Sequence, residues 1–268
     1  SQCPRQLGYT TKMKISIITS CFNREDTIGS AIESVLGQTY KDLEYVVVDG
    51  GSTDRSREII SGYGEGISKI VFKDDNGLYE GINNGIRATT GDVIGLCHSD
   101  DRLFSPDTVA AVAKAFERHP EADIIYADGI YIDATKEKAK RVWKSAPLKR
   151  WKLRLGWLPL HTTCYVRRRV FERYGLYDER YKIAADTKFL LTVLSQKEVQ
   201  AIYLPQVVVT MNMGGASTDK ERLGDMWQED IRVFRELGIR WPRLMKCMKM
   251  MWKPAQFVRA WLQTLVSK

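Results

Sequence analysis

Asp100 and Asp101 stand side by side at the end of residues 91–101, GDVIGLCHSDD. The apolar run at 93–97 suits a buried strand, and two adjacent carboxylates at its mouth are expensive to hold without a positive partner. A divalent cation meets that need, because hard ions such as Mg²⁺ or Mn²⁺ are held through one or two carboxylates plus ligand phosphates. The alternative is a solvated turn leading into a helix at Pro106. Asp49 follows a second apolar run at 43–48, and Asp74 with Asp75 follows a third at 69–72. Three successive strands thus end in acids, a stronger signal than the pair alone.

Such acids need a scaffold that gathers strand ends at one edge. Residues 15–19 read as a first buried strand, and residues 26–36 as a helix with Ile28, Ala31, Ile32, Val35 and Leu36 on one face. With the strand at 43–48 they begin a βαβ unit, which predicts a parallel sheet flanked by helices. In Asp49-Gly50-Gly51-Ser52-Thr53-Asp54 the glycines permit a tight reversal, and Ser52 or Thr53 can cap a helix beginning near Asp54. Asp49 is then free to point along the carboxyl edge, where open α/β sheets bind ligands. Residues 78–89 form a helix in which Gly81 and Gly85 permit either close approach to the sheet or a ligand, or ordinary packing. A fourth strand at 93–97, a helix at 106–118 and a fifth strand at 123–127 follow.

The β-α alternation stops there. Residues 129–132 and 141–144 predict a ribbon around a turn at 135–138, and residues 148–158 a basic helix or loop carrying Trp151 and Trp157. His161 precedes a strand at 164–167. Asp186 falls in the first turn of a helix at 183–194, a place where a carboxylate can serve simply as a stabilising charge. Strands at 201–204 and 207–211 precede Gly214-Gly215-Ala216-Ser217, which ends the core. The expected organisation is an α/β domain at 13–215, mainly parallel with a mixed second half, and a C-terminal helical extension at 216–268.

With 268 residues, 44% of them apolar, the chain can bury one large core. Residues 1–12 have no apolar periodicity and read as a frayed tail. No stretch resembles a signal peptide or approaches the roughly 20 residues of a membrane span, which favours a cytoplasmic location. Five scattered cysteines argue against a disulfide framework or zinc site. The formal charge of +8 is uneven: residues 136–173 hold thirteen Lys and Arg, and residues 239–268 hold seven and no acid. In the latter, Leu244, Met248, Met251 and Trp252 keep one helical face while Lys246, Lys249 and Lys253 lie elsewhere, and Pro254 starts a second segment or kinks the first. Such a helix suits an anionic membrane surface. The alternative is a helix packed on the domain with its lysines in water.

The ordered set ISIITSCFNR (15–24), VVVDGGSTD (46–54), DNGLYEGINNGI (75–86), GDVIGLCHSDD (91–101) and IAADTKFLL (183–191) resembles family 2 inverting nucleotide-sugar glycosyltransferases of the GT-A fold. The resemblance implies Asp186 as catalytic base and Asp101 as ligand of a Mn²⁺ or Mg²⁺ ion bridging the donor diphosphate. It places Ser20 and Asp75 at the nucleotide, Asp100 near the ribose, and Asp49 where it accepts a hydrogen bond from uracil. His161 matches a segment that contacts diphosphate or acceptor, although a structural histidine fits the sequence as well, and Trp157 belongs to a Trp- and Arg-rich stretch that could seat an acceptor. The implied reaction moves a hexose or N-acetylhexosamine from a nucleotide-sugar co-substrate to a saccharide hydroxyl; the match at Asp49 favours UDP, with dTDP the alternative because uracil and thymine share the imide edge. The basic C-terminus and family habit point to a polyprenyl-diphosphate-linked acceptor, surface polysaccharide synthesis, and a peripheral place on the inner face of the cell membrane. A metal-dependent nucleotidyltransferase would use the same acids. A nucleic-acid-binding protein would use the positive charge, but without a reading motif no nucleic acid partner is expected.

Overall fold

The computed structural model describes residues 13–132, 139–212 and 223–252. The expected tail at 1–12, the turn at 135–138, the boundary at 214–217 and the segment from Pro254 lie outside those residues.

Strand β1 (Ile15–Cys21) is buried along its whole length. Ile15, Ile17 and Cys21 enter one apolar core and Ile18 enters another, as a strand covered on both faces requires. β1 pairs in parallel with β2 (Leu43–Asp49), and β2 pairs in parallel with β3 (Lys69–Phe72). On its other flank β1 pairs in parallel with β4 (Val93–Leu96). The chain therefore runs outward from β1 to β3 and returns to the opposite side of β1, opening a crevice at the carboxyl ends of β1 and β4.

The sheet continues through strands β5 (Asp101–Leu103), β6 (Ile124–Ile132), β7 (Ala139–Trp143), β8 (Cys164–Arg167) and β9 (Ala201–Asn212). Its order is β3-β2-β1-β4-β8-β6-β9-β5, with β7 paired to β6. β8 is antiparallel to β4 and β6, so the second half of the sheet is mixed. Helices α1 (Ile28–Leu36), α2 (Ser56–Gly62) and α4 (Thr108–Arg118) pack on one face. Helices α3 (Leu78–Ala88), α5 (Arg150–Leu153), α6 (Arg168–Tyr174), α7 (Ala185–Leu194), α8 (Leu223–Glu236) and α9 (Pro242–Met251) pack on the other.

Several local expectations change. The expected strands at 123–127 and 129–132 are one strand, β6, because the Asp128 carboxylate accepts hydrogen bonds from Ser145 N (2.7 Å) and the Tyr203 hydroxyl (2.9 Å) and so tolerates burial. β9 is likewise continuous. Leu204, Pro205 and Gln206 fall in a bulge where the pairing with β6 jumps from Tyr126–Tyr203 to Asp128–Val207, which accommodates a residue without an N–H. Neither Ser52 nor Thr53 caps α2: Ser52 Oγ accepts from Asn23 N, and Asp54 Oδ1 accepts from Ser56 N.

The lysines of α9 do not lie away from the packed face. Lys246 is buried and its Nζ lies 2.5 Å from Asp230 Oδ2, while Lys249 Nζ lies 2.8 Å from Asp230 Oδ1. A carboxylate buried this deeply requires paired charge. Trp241, Leu244, Met250 and Met251 are the exposed large apolar groups of this segment. Five of the six arginines of 148–173 are tied to neighbouring groups, and Arg154 is exposed. Arg150 donates to the carbonyls of Gln196 and Val199, Arg167 to Ala122 and Arg168 to Gly91, while Arg169 and Arg173 pair with Asp123 and Glu198.

Candidate active site

Ser20 lies at the carboxyl end of β1 and Asp49 at that of β2, where Asp49 pairs in register with Cys21 and Ser20 with Val48. Asp49 is fully buried, and it is not free as its position in the sequence implies: Oδ1 accepts from Gly51 N (3.2 Å), Ser52 N (3.0 Å) and Arg57 Nε (2.6 Å). Its second oxygen, Oδ2, is buried with no hydrogen-bond partner. A buried carboxylate oxygen left unpaired is costly. Arg57 also reaches Asp74 (3.2 Å) and lies over the Phe72 ring, 5.5 Å from its centroid. Asp75 closes the same corner. A Cβ at Gly50 would meet its carboxylate at 2.2 Å, and one at Gly81 would meet Ser20 Oγ at 2.4 Å. The first turn of α3 therefore comes close enough to the strand end to form a cradle only because position 81 lacks a side chain.

Asp100 and Asp101 follow β4 across the crevice. Asp101 is buried, and burial together with neighbouring Asp100 pushes its carboxyl well above the usual range. Among the described residues no group of three or more His, Cys, Asp or Glu side chains forms a metal cage. Two hard oxygen donors are nonetheless what Mg²⁺ or Mn²⁺ requires when phosphates complete the shell. An adjacent acid pair, one member of it buried, therefore fits a metal–diphosphate group.

Asp186 sits in the first turn of α7, with its side chain 27% exposed. Oδ1 lies 2.6 Å from Thr187 N and 3.3 Å from the Tyr79 hydroxyl, and Oδ2 lies 3.5 Å from His161 Nδ1. Burial raises the Asp186 carboxyl, and the positive field of Lys249 opposes that shift. His161 Nε2 lies 3.2 Å from His98 Nε2, and burial pushes both rings down to about 4. Two neutral imidazoles can share that contact as one donor and one acceptor. Glu229 of α8 accepts the N–H groups of Lys182, Ile183 and Ala184, anchoring the turn into α7. The Lys182 ammonium reaches back to the Asn76 carbonyl, joining this turn to the Asp75 loop.

The structure gathers Ser20, Asp49 and Asp75 at one end of the crevice, and His161 with Asp186 at another, with Asp100 and Asp101 on the strand-end turn that also carries His98. It does not bring Trp157 there: the ring is buried in the core against Tyr126, with centroids 6.3 Å apart. Trp151 is the exposed indole of that stretch. Arg57, Tyr79 and His98 went unassigned in the sequence. His98 stood inside the HSDD motif and Arg57 one helix turn past the DGGSTD reversal, so local signals existed for both.

The model of the family described as Glycosyl transferase family 2 matches residues 16–175. The PGL/p-HBAD biosynthesis glycosyltransferase of Mycobacterium bovis (strain BCG / Pasteur) is 31% identical over 240 residues, covering 85% of this chain and 91% of that protein. Among solved structures, residues 1–349 of S. aureus TarS with UDP-GlcNAc superpose with a TM-score of 0.67 at 18% identity, covering 84% of this chain and 66% of that one. Against the longer TarS structure the match covers 39% of that chain. The mannosyltransferase PcManGT from Pyrobaculum calidifontis, solved with GDP-Man and Mn²⁺, gives a TM-score of 0.64 at 16% identity over 97% of this chain and 77% of its own. At these identities the structural likeness speaks for the fold.

Proposed function

The chain belongs to glycosyl transferase family 2, inverting enzymes of the GT-A fold that pass a sugar from a nucleotide donor to an acceptor, and from that premise we propose that Asp186 is its catalytic base and that its donor is a UDP-hexose or UDP-N-acetylhexosamine. The observation that carries this reading is the Asp186 carboxylate itself. It is enclosed, held at Oδ1 by Thr187 N, and still reachable from the crevice.

The acceptor hydroxyl gives its proton to Asp186 as its oxygen attacks the anomeric carbon. The bond from that carbon to the diphosphate oxygen breaks on the opposite face, and the sugar configuration inverts. Asp49 Oδ2 accepts the imide N–H of uracil. Ser20 and Asp75 line the cradle around the nucleotide, and Asp100 lies toward the ribose. Asp101, with Asp100 beside it, would hold Mn²⁺ or Mg²⁺, which when bound offsets charge on the departing diphosphate. His161 borders the base and contacts diphosphate or acceptor.

Only ionised Asp186 accepts a proton. Because burial raises its carboxyl, activity falls, as pH is lowered, at a higher pH than an exposed aspartate would dictate. The stability contribution has the opposite sense: it is present below the unfolded carboxyl's pKa and lost as pH rises through the folded one. Asp186→Asn should leave donor affinity in calorimetry unchanged while lowering product formation by about 10²–10⁴-fold. Wild-type turnover in this variant would refute the base.

The proposed acceptor is a saccharide on a polyprenyl diphosphate, used in surface polysaccharide synthesis, with the enzyme peripheral on the inner face of the cell membrane. Exposed Trp241, Leu244 and Met251 beside Arg240 and Arg243 support this, since they combine apolar groups with positive charge. No helix among the described residues is long and apolar enough to cross a membrane.

A further inference from the structure

Asp230 of α8 is 1% exposed, yet two ammonium groups converge on it, Lys246 at 2.5 Å and Lys249 at 2.8 Å. One carboxylate shared between two lysines leaves net positive charge inside the fold. That charge is directed: Lys249 Nζ also lies 2.8 Å from Thr187 Oγ1, one residue beyond the proposed base. α9 is seated tightly enough to keep it there. A Cβ at Gly156, where φ is +73°, would come within 2.9 Å of Lys249 Cα, and Trp252 Nε1 donates to the Leu155 carbonyl at 3.1 Å.

We propose that Lys249 is a positioning residue for the base: held by Asp230 and bonded to Thr187, it pins the first turn of α7 and keeps the Asp186 carboxylate in its proton-accepting form. This rests on the reading of Asp186 as base. The groups facing Asp186 are Tyr79 from α3, His98 from the turn after β4, His161 and Cys164 at β8, Tyr177 after α6, Asp230 from α8 and Lys249 from α9. Desolvation is the strongest influence on Asp186 and disfavours its charge; Lys249 is the next strongest and favours it, while Asp230 opposes it. Lys246 takes up part of the Asp230 charge and leaves Lys249 effective. The C-terminal helix thereby becomes part of the catalytic apparatus without touching substrate.

The test is a ¹³C NMR titration of the full chain labelled at aspartate Cγ, with the Asp186 signal assigned by its loss in Asp186→Asn. Lys249→Met should raise the Asp186 midpoint by about 1 pH unit, the low end of what removing a nearby opposite charge does. Lys249→Arg should keep the wild-type midpoint. Lys249→Gln, which retains polar contacts to Asp230 and Thr187, should reproduce the Met shift if the Met variant does not fold. An unmoved midpoint in the neutral variants, or an equal shift in the Arg variant, overturns the proposal. The titration needs no turnover, so it fails independently of the base assignment, which falls instead if Asp186→Asn still transfers sugar.

Discussion

Replacing Asp49 by Asn should exchange the nucleobase preference of the site. Gly51 N, Ser52 N and Arg57 Nε all donate to Oδ1, so the new amide must keep its carbonyl on that side and place its NH₂ where Oδ2 now lies buried and unpaired. If uracil binds as proposed, that NH₂ would face its imide N–H, donor against donor. Losing a hydrogen bond to a charged acceptor costs about 1.5–3 kcal/mol, and leaving a buried donor unmatched adds about 1–3 kcal/mol. At about 1.4 kcal/mol per tenfold, UDP should bind roughly 10²–10⁴-fold more weakly. Cytosine offers an acceptor at the same ring position, so CDP should gain on UDP. Calorimetry of both nucleotides with Mn²⁺, on wild type and variant, reads the two effects together. Undiminished UDP affinity in the variant, or an unchanged order of UDP over CDP, would refute the placement of the base at Asp49.

Two further outcomes follow from packing and exposure. Gly85→Ala adds a Cβ 2.4 Å from Ile18 Cγ2, in a fully packed layer; the gain of about 1 kcal/mol in helix propensity is outweighed by about 1–3 kcal/mol of overpacking, so thermal unfolding should show a lower Tm, and an unchanged or raised Tm would contradict the close α3–β1 contact. The full chain should co-sediment with phosphatidylglycerol vesicles more than with phosphatidylcholine vesicles, and Leu244→Glu with Met251→Glu should abolish the difference; equal sedimentation with both lipids would refute the membrane-facing assignment.

Much of the first half was legible because its signals are local. The parallel strands are short, mostly apolar runs, and three of them lead into acids, so 15–19, 43–48, 69–72 and 93–97 could be read as strands and Asp49, Asp75, Asp100 and Asp101 as lying past the ends of the last three. Gly81 was ambiguous until Ser20 was seen opposite it, since spacing cannot say what lies across a helix. The second half was harder. The expected strands stopped on either side of Asp128 and Pro205, and what lets the chain run through them, Ser145 and Tyr203 at the first and a bulge at the second, is set by pairing with other segments. The lysines of α9 were misread for the same reason: a basic helix looks solvated until Asp230, sixteen residues from Lys246, is found buried beneath it. Trp157 carried no mark separating a core indole from a ligand platform.

In the proposed mechanism one crevice seats a nucleotide between Asp49 and Asp101 with Asp186 beyond the sugar. A crystal structure of the full chain with UDP and Mn²⁺, with the ion located by its anomalous signal, should show uracil on Asp49 Oδ2, the ion between Asp101 and the diphosphate, and Asp186 across the crevice from the phosphate end. A nucleotide bound away from Asp49, or an ion without Asp101 in its shell, would contradict it.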